Sequence, residues 1–120
     1  MNKVKIQRLL GLAMRSGKLS LGEYACLDTI KSGKAKYVFI ANDASDNTKK
    51  RLNDKSNYRG LPVCMEFDRY ELGQAIGRQY CMSIAVKDRN FAQGIAWETG
   101  GNAIEEKKDI YNSRRAWNAK

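Results

Sequence analysis

Hydrophobic positions at the start of the chain recur every three or four residues, which is the spacing of an amphipathic helix. The pattern predicts a helix over residues 4–16. Gly17 is expected to end it, because glycine readily adopts the left-handed conformation that closes a helix. Residues 18–21 then alternate polar and apolar side chains, which predicts a short strand ending at Gly22.

A second helix and a second strand come next. The helix is predicted to run to about residue 32, with an apolar stripe formed by Tyr24, Leu27 and Ile30. The segment from Lys36 to Ala41 is an apolar run rich in β-forming residues. This pattern is typical of a central strand that is covered on both faces.

Two further strands and three further helices complete the predicted pattern. A polar helix through about Tyr58 is expected to begin after Asp43 or Ser45, since either side chain can cap it. The other elements are strands over residues 61–65 and 80–86 and helices beginning near Asp68 and Asn90. Because helices alternate with four strands, the expected fold class is α/β, arranged as a three-layer α-β-α sandwich.

The pattern changes after residue 97. Thr99 to Asn102 reads Thr-Gly-Gly-Asn, which is typical of a linker, and the residues beyond it are mostly polar. We therefore expect one domain over residues 1–97 and a polar tail or loosely packed helix over residues 98–120. A total of 120 residues suits a single domain.

Charge changes the picture most. The chain carries 22 basic and 13 acidic residues, and residues 1–42 alone hold eight basic and two acidic ones. A basic field concentrated in one third of a domain suits a polyanion, because each neutralised phosphate releases condensed counterions. No apolar run approaches the roughly 20 residues that a membrane span needs, and the N-terminus lacks a secretory signal. A cytoplasmic protein without a membrane partner is expected.

The residue inventory argues against catalysis. The chain has no histidine, and its three cysteines show no CxxC spacing, so neither a zinc site nor a cysteine–histidine pair is expected. We expect structural thiols, no cofactor, no metal and no enzymatic activity. An enzyme or receiver-like domain built on Asp43 would need further acids at neighbouring strand ends, and the sequence shows no such cluster.

Three segments carry a family resemblance: LLGLAMRSGKLSLGE, then SGKAKYVFIANDAS with NTKKRL, then ELGQAIG before an apolar strand. In this order the chain, from about residue 5 to residue 95, resembles the YlxQ-like bacterial branch of the kink-turn RNA-binding ribosomal proteins, the large-subunit protein seven-Ae superfamily. The resemblance implies a mixed four-stranded sheet within the sandwich. It also implies an RNA site formed around Gly22, at the strand end with Asn42 and Asp43, and in the loop after Gly77.

The chain departs from the family where the kink-turn readers contact RNA. Tyr24 and Ala25 stand in place of an Asn-Glu pair that reads the sheared G·A bases of the kink. Two family lysines are replaced as well, by Leu21 and Asp28. The resemblance therefore implies general RNA binding, and the departures predict weak discrimination of a standard kink-turn.

The implied site leaves several roles open. Gly22 is either an ordinary turn glycine or the start of an anion site formed by free helix N–H groups. Glu23 either accepts a hydrogen bond from the amino group of a base or is an acidic residue of the first helical turn. Asp43 either caps a helix or contacts RNA. Tyr80 either stacks on a base or packs at a strand start. The candidate RNA-binding residues are Lys18, Gly22, Glu23, Tyr24, Lys34, Asn42, Asp43, Arg78, Gln79 and Tyr80.

Two functions remain from this reasoning. The first is a non-enzymatic RNA-binding protein that associates with the ribosome or with structured RNA. The alternative is a protein-interaction or regulatory domain that kept the fold and lost the kink-turn-reading site. A monomer is expected. The basic triplet at residues 49–51 is expected to be a solvated face that extends the positive field, and Trp97 and Trp117 to pack the tail on the body.

Overall fold

The computed structural model describes residues 1–100. Its helices are α1 (Lys3–Arg15), α2 (Glu23–Lys31), α3 (Asp46–Tyr58), α4 (Arg69–Ile76) and α5 (Arg89–Gly100). Its strands are β1 (Leu19–Leu21), β2 (Tyr37–Ile40), β3 (Val63–Cys64) and β4 (Ser83–Val86). They form one sheet in the order β1-β4-β2-β3, in which β4 is antiparallel to both neighbours and β2 is parallel to β3. The α/β class and the mixed four-stranded sheet are confirmed.

The sheet is sandwiched between two helical layers. Helices α2 and α3 pack together, α1 packs against both α4 and α5, and β4 contacts α2 as well as α5. All residues of the two central strands, β2 and β4, are buried. This burial explains why the sequence of β2 is apolar at every position instead of alternating.

The core is aromatic and aliphatic, and the three thiols belong to it. Phe39 of β2 meets Phe67 edge to face, with ring centroids 5.8 Å apart, and both rings are fully buried. Burying one such side chain contributes about 1.5–3 kcal/mol. Cys26, Cys64 and Cys81 are buried and unbridged. Burial raises the pKa of the Cys26 thiol to about 12, so this cysteine stays a neutral packing group. No helix within residues 1–100 is long and apolar enough to cross a membrane.

Helix α2 and strand β4 differ from the sequence prediction because polar contacts override the apolar pattern. Tyr24 is 87% exposed, so the predicted stripe on α2 was wrong at this position. The buried face of α2 is instead Cys26, Thr29 and Ile30, and the Thr29 hydroxyl is satisfied by the Ala25 carbonyl and the Ser20 hydroxyl. The last strand begins at Ser83, not at residue 80, because the Cys81 N–H donates to the Arg69 carbonyl at 2.9 Å.

The helix ends follow the expected capping chemistry, and Ser45 rather than Asp43 is the residue that caps α3. Ser45 caps α3 by accepting from the Thr48 N–H, at 3.2 Å. Asp68 and Glu71 form a complete reciprocal capping box at the start of α4. Helix α5 continues to Gly100, beyond the residue at which the linker was predicted to begin. The rest of the predicted tail, including Trp117, lies outside the described residues.

Candidate nucleic-acid interface

Three loops converge at one end of the sheet. The Gly22 N–H donates to the Ser83 carbonyl at 3.0 Å, and the Ala41 N–H donates to the Met82 carbonyl at 2.8 Å. These bonds place the end of β1, the end of β2 and the start of β4 side by side. We call residues 22–24, 42–43 and 77–82 the loop end.

A cleft lies within the loop end. It has a volume of about 330 Å³ and is lined by residues of three elements that are distant in sequence: Leu21, Gly22, Glu23, Thr48, Arg78, Tyr80, Cys81 and Met82. The structure thus brings the predicted Gly22 loop and the predicted loop after Gly77 into one concave surface. The sequence reasoning missed Thr48, although its position three residues after the α3 cap was a usable signal.

Gly22 is required by the backbone at the mouth of this cleft. Its φ of 88° lies in the region that side-chain-bearing residues rarely adopt, and it is the N-cap of α2. It offers no side-chain acceptor, so the first N–H groups of α2 receive no bond from the capping residue. A helix start of this kind favours a negatively charged ligand.

The carboxylate of Glu23 is held by α3. The Thr48 hydroxyl donates to one oxygen at 3.0 Å, and the Arg51 guanidinium donates to the other. The hydrogen bond from Arg51 lowers the pKa of Glu23, so the carboxylate is ionised at neutral pH. This first-turn acid fastens the Gly22 loop to α3 and pairs with Arg51, which stays exposed within the triplet at residues 49–51.

Asp43 fastens the next loop to α4. Its carboxylate accepts from the Arg69 N–H and from the Arg69 guanidinium, each at 3.0 Å. Desolvation acts to raise the pKa of Asp43, but the hydrogen bonds from Arg69 outweigh it and lower this pKa. Asp43 therefore accepts a hydrogen bond from the first N–H of α4 instead of capping α3. The neighbouring Asn42 side chain is exposed at the strand end, as expected for a polar contact.

The loop after Gly77 presents three exposed side chains, Arg78, Gln79 and Tyr80. Tyr80 is 57% exposed, so packing at a strand start is excluded for it. Within residues 1–100 no acidic side chain forms an ion pair with Arg78. The guanidinium is therefore available for a bidentate contact with phosphate, and the tyrosine ring for stacking.

Gly73 lets this loop lie directly on α4. A Cβ at this position would lie 2.5 Å from the Tyr80 Cα and 2.8 Å from the Arg78 carbonyl oxygen. The Arg78 N–H also donates to the Gly73 carbonyl at 2.8 Å. Backbone contacts with α4 therefore support the loop, in addition to the buried Cys81 side chain.

Two predicted site residues lie elsewhere. Lys18 precedes β1 and Lys34 follows α2, so both are at the opposite end of the sheet from Gly22. The structure does not bring them to the cleft. Tyr24, by contrast, projects from the first turn of α2 beside it.

The geometry defines a small α-β-α sandwich with a charged, loop-built cleft at one end of a mixed sheet. Residues 4–95 match the ribosomal protein L7Ae/L30e/S12e/Gadd45 family, and the chain belongs to this family.

Relatives and a solved structure agree with this assignment. The chain is 45% identical over 92 residues to the RNA-binding protein YlxQ of Enterococcus faecium, covering 77% of this chain and 88% of that protein. It is 40% identical over 87 residues to the RNA-binding protein YlxQ of Bacillus subtilis, covering 72% and 87%. A structure of a protein of unknown function from Bacillus halodurans superposes with a TM-score of 0.74 at 37% identity, covering 77% of this chain and 93% of that one.

Proposed function

We propose that the protein is a non-enzymatic RNA-binding protein that uses the loop end to bind structured or ribosomal RNA. The observation that carries this proposal is the cleft in which the α2 N-terminus, Arg78 and Tyr80 meet. Two relatives that cover most of the chain are RNA-binding proteins, which supports the same function.

Each part of the loop end has a distinct task in this proposal. Arg78 and the α2 N-terminus bind phosphate, which supplies affinity and orientation. Tyr80 and Tyr24 offer aromatic faces to unstacked bases, since both rings are largely exposed. The amide side chains of Asn42 and Gln79 form hydrogen bonds with base edges. The Glu23 and Asp43 contacts hold the loops in place, so little ordering accompanies binding.

The first turn of α2 is not built for reading a standard kink. Tyr24 is exposed and Ala25 carries no hydrogen-bonding side chain, so this turn offers stacking where the family offers a polar pair. A bidentate polar contact discriminates bases by about 1–3 kcal/mol, by analogy with DNA readout. Without it, the protein discriminates intact from G·A-disrupted kink-turns by less than about tenfold.

The test is a titration against three nucleic acids of equal length at two salt concentrations. They are a hairpin with a kink-turn, the same hairpin with its sheared G·A pairs disrupted, and duplex DNA. We expect both RNAs to bind more tightly than DNA, with affinities that fall as salt rises. Equal weak binding to all three would overturn the proposal. Binding without salt dependence would favour a protein-interaction domain instead.

We further infer that the protein works as a cytoplasmic monomer. Three buried, unbridged thiols suit a reducing compartment. Sedimentation of the purified protein with and without RNA tests the monomer, and two copies per RNA hairpin would contradict it.

A further inference from the structure

Three lysines extend the register of the sheet at the end opposite to the loop end. Leu19 of β1, Val86 of β4 and Tyr37 of β2 are cross-strand partners. At this end of the sheet, the residue just beyond each strand is a lysine: Lys18 precedes β1, Lys36 precedes β2 and Lys87 follows β4. The Lys87 N–H donates to the Lys18 carbonyl at 2.8 Å, and the Lys36 N–H donates to the Val86 carbonyl at 2.7 Å. We call these three residues the lysine row.

Among residues 1–100, no acidic side chain forms an ion pair with a lysine of the row. Neighbouring strands lie about 4.8 Å apart, and like charges directly opposite one another destabilise a sheet. The four ion pairs among residues 1–100 all involve other cations: Lys3, Lys50, Arg51 and Arg69. The acid next in sequence, Asp88, is engaged at the start of α5, where it accepts from the Phe91 N–H.

Further cations flank the lysine row. Lys34 is exposed, and its N–H donates to the Thr29 carbonyl at the end of α2. A cleft of about 290 Å³ beside it is lined by Lys36 and Arg59, among others. The Arg59 guanidinium donates to the Lys31 carbonyl and so covers the end of α2. Positive charge therefore continues from the row across the end of α2.

We propose that the lysine row and Lys34 form a second phosphate-binding surface, which contacts the backbone of RNA beyond the segment held at the loop end. This proposal rests on the proposed function. Lys87 follows β4 and Met82 precedes it, so the two residues are five positions apart. At the rise of a strand this separation is about 17 Å. An RNA must therefore extend along the domain to touch both surfaces.

The residues of this surface fit a sugar-phosphate backbone better than a lipid surface. The lysine ammonium is a compact point charge that suits phosphate, and contacts with phosphate carry no sequence information. A surface that inserts into the membrane interface has apolar side chains beside its charges. The large exposed hydrophobic residues within residues 1–100 lie at other positions: Met1, Val4, Leu12, Tyr24, Tyr58, Met65, Tyr70, Tyr80 and Trp97.

The test compares two triple variants of equal charge. One is Lys18→Gln/Lys36→Gln/Lys87→Gln. The control is Lys5→Gln/Arg8→Gln/Lys55→Gln, whose sites are exposed and outside both surfaces. Each is titrated with a minimal hairpin and with the same hairpin on a long stem, at several salt concentrations, after circular dichroism confirms folding.

We expect the lysine-row variant to bind the long RNA roughly tenfold more weakly than the control does. Its log–log salt slope should be smaller by about 2, since each lost phosphate contact removes about 0.7–0.9. On the minimal hairpin the two variants should be alike. Equal behaviour on the long RNA would overturn the second surface. Loss of binding only to phosphatidylserine vesicles, with RNA affinity kept, would overturn it as well.

The two proposals fail in different ways. If the unmodified protein binds neither RNA, the proposed function is wrong and the second surface falls with it. If Arg78→Ala weakens both RNAs while the lysine-row variant matches its control, the loop end stands and only the second surface is wrong.

Discussion

The two ends of the sheet differ in how their acidic and basic side chains are paired. At the loop end, Glu23 and Asp43 are each paired with an arginine from a neighbouring helix. At the other end, the lysine row has no ion pair within the described chain. Paired charges hold loops in one geometry and contribute little field, whereas unpaired charges contribute field and no geometry. The net charge of a basic protein therefore does not by itself show where the protein binds its ligand.

The largest expected effect comes from removing the support beneath the loop end. In Gly73→Ala the new Cβ would lie 2.5 Å from backbone, so either α4 or the loop must shift. Overpacking of this kind costs about 1–3 kcal/mol of unfolding free energy. We expect a lower denaturation midpoint and weaker RNA binding in the variant.

The matched control is Gly94→Ala in α5. There the new Cβ would lie 3.4 Å from a flexible Leu9 methyl group, which is ordinary contact. Replacing a helical glycine with alanine favours the helix by about 0.5–1 kcal/mol. Equal stability of the two variants would show that the close approach at Gly73 does not matter.

The next effect comes from the unpaired arginine at the loop end. Arg78→Ala removes a free guanidinium from the cleft, and we expect RNA affinity to fall about tenfold, or about 1.4 kcal/mol. Tyr24→Ala should weaken binding less, because it removes a stacking face outside the cleft lining. Fluorescence titration of both variants measures this order. A larger loss for Tyr24→Ala would place the main contact on α2.

A smaller effect is expected from the thiol that packs behind the loop end. Cys26 is fully buried, and its N–H donates to the Gly22 carbonyl, so Cys26→Ala leaves that backbone bond in place. We expect a loss of about 1 kcal/mol of unfolding free energy and unchanged RNA affinity. Native Cys26 should also resist alkylation, since burial raises its pKa to about 12. Rapid modification of the folded protein would contradict a structural role.

The smallest effect is the pH dependence of the loop-end pairs. The pKa values of Glu23 and Asp43 are lowered in the folded state, so their stabilisation is complete above the ordinary carboxyl pKa of about 4. It is lost as pH falls through the lowered values. Glu23→Gln should be slightly less stable than the unmodified protein at about pH 6, and the difference should be smaller at about pH 3, since the stabilisation is lost as pH falls through the lowered pKa of Glu23. Urea midpoints at both pH values measure it.

Local signals made much of the fold predictable. The apolar period of α1, the continuous apolar run of β2 and the glycine that closes α4 placed these elements to within about a residue. The candidate site was harder, because its geometry depends on register. Lys18 and Gly22 are close in sequence, yet β1 separates them to opposite ends of the sheet. The partner of Asp43, Arg69, lies 26 residues away, and no local pattern connects the two.

The brevity of the two edge strands has a consequence for the protein at high concentration. Strand β1 has three residues and β3 has two, and Pro62, which has no N–H to donate, directly precedes β3. Long, flat edges are templates on which another chain can add a strand and begin to aggregate. Within residues 1–100, each edge of the sheet offers too few free backbone groups for that, and the apolar strand β2 is buried at its centre. The short edge strands thus protect the fold against polymerisation through strand addition.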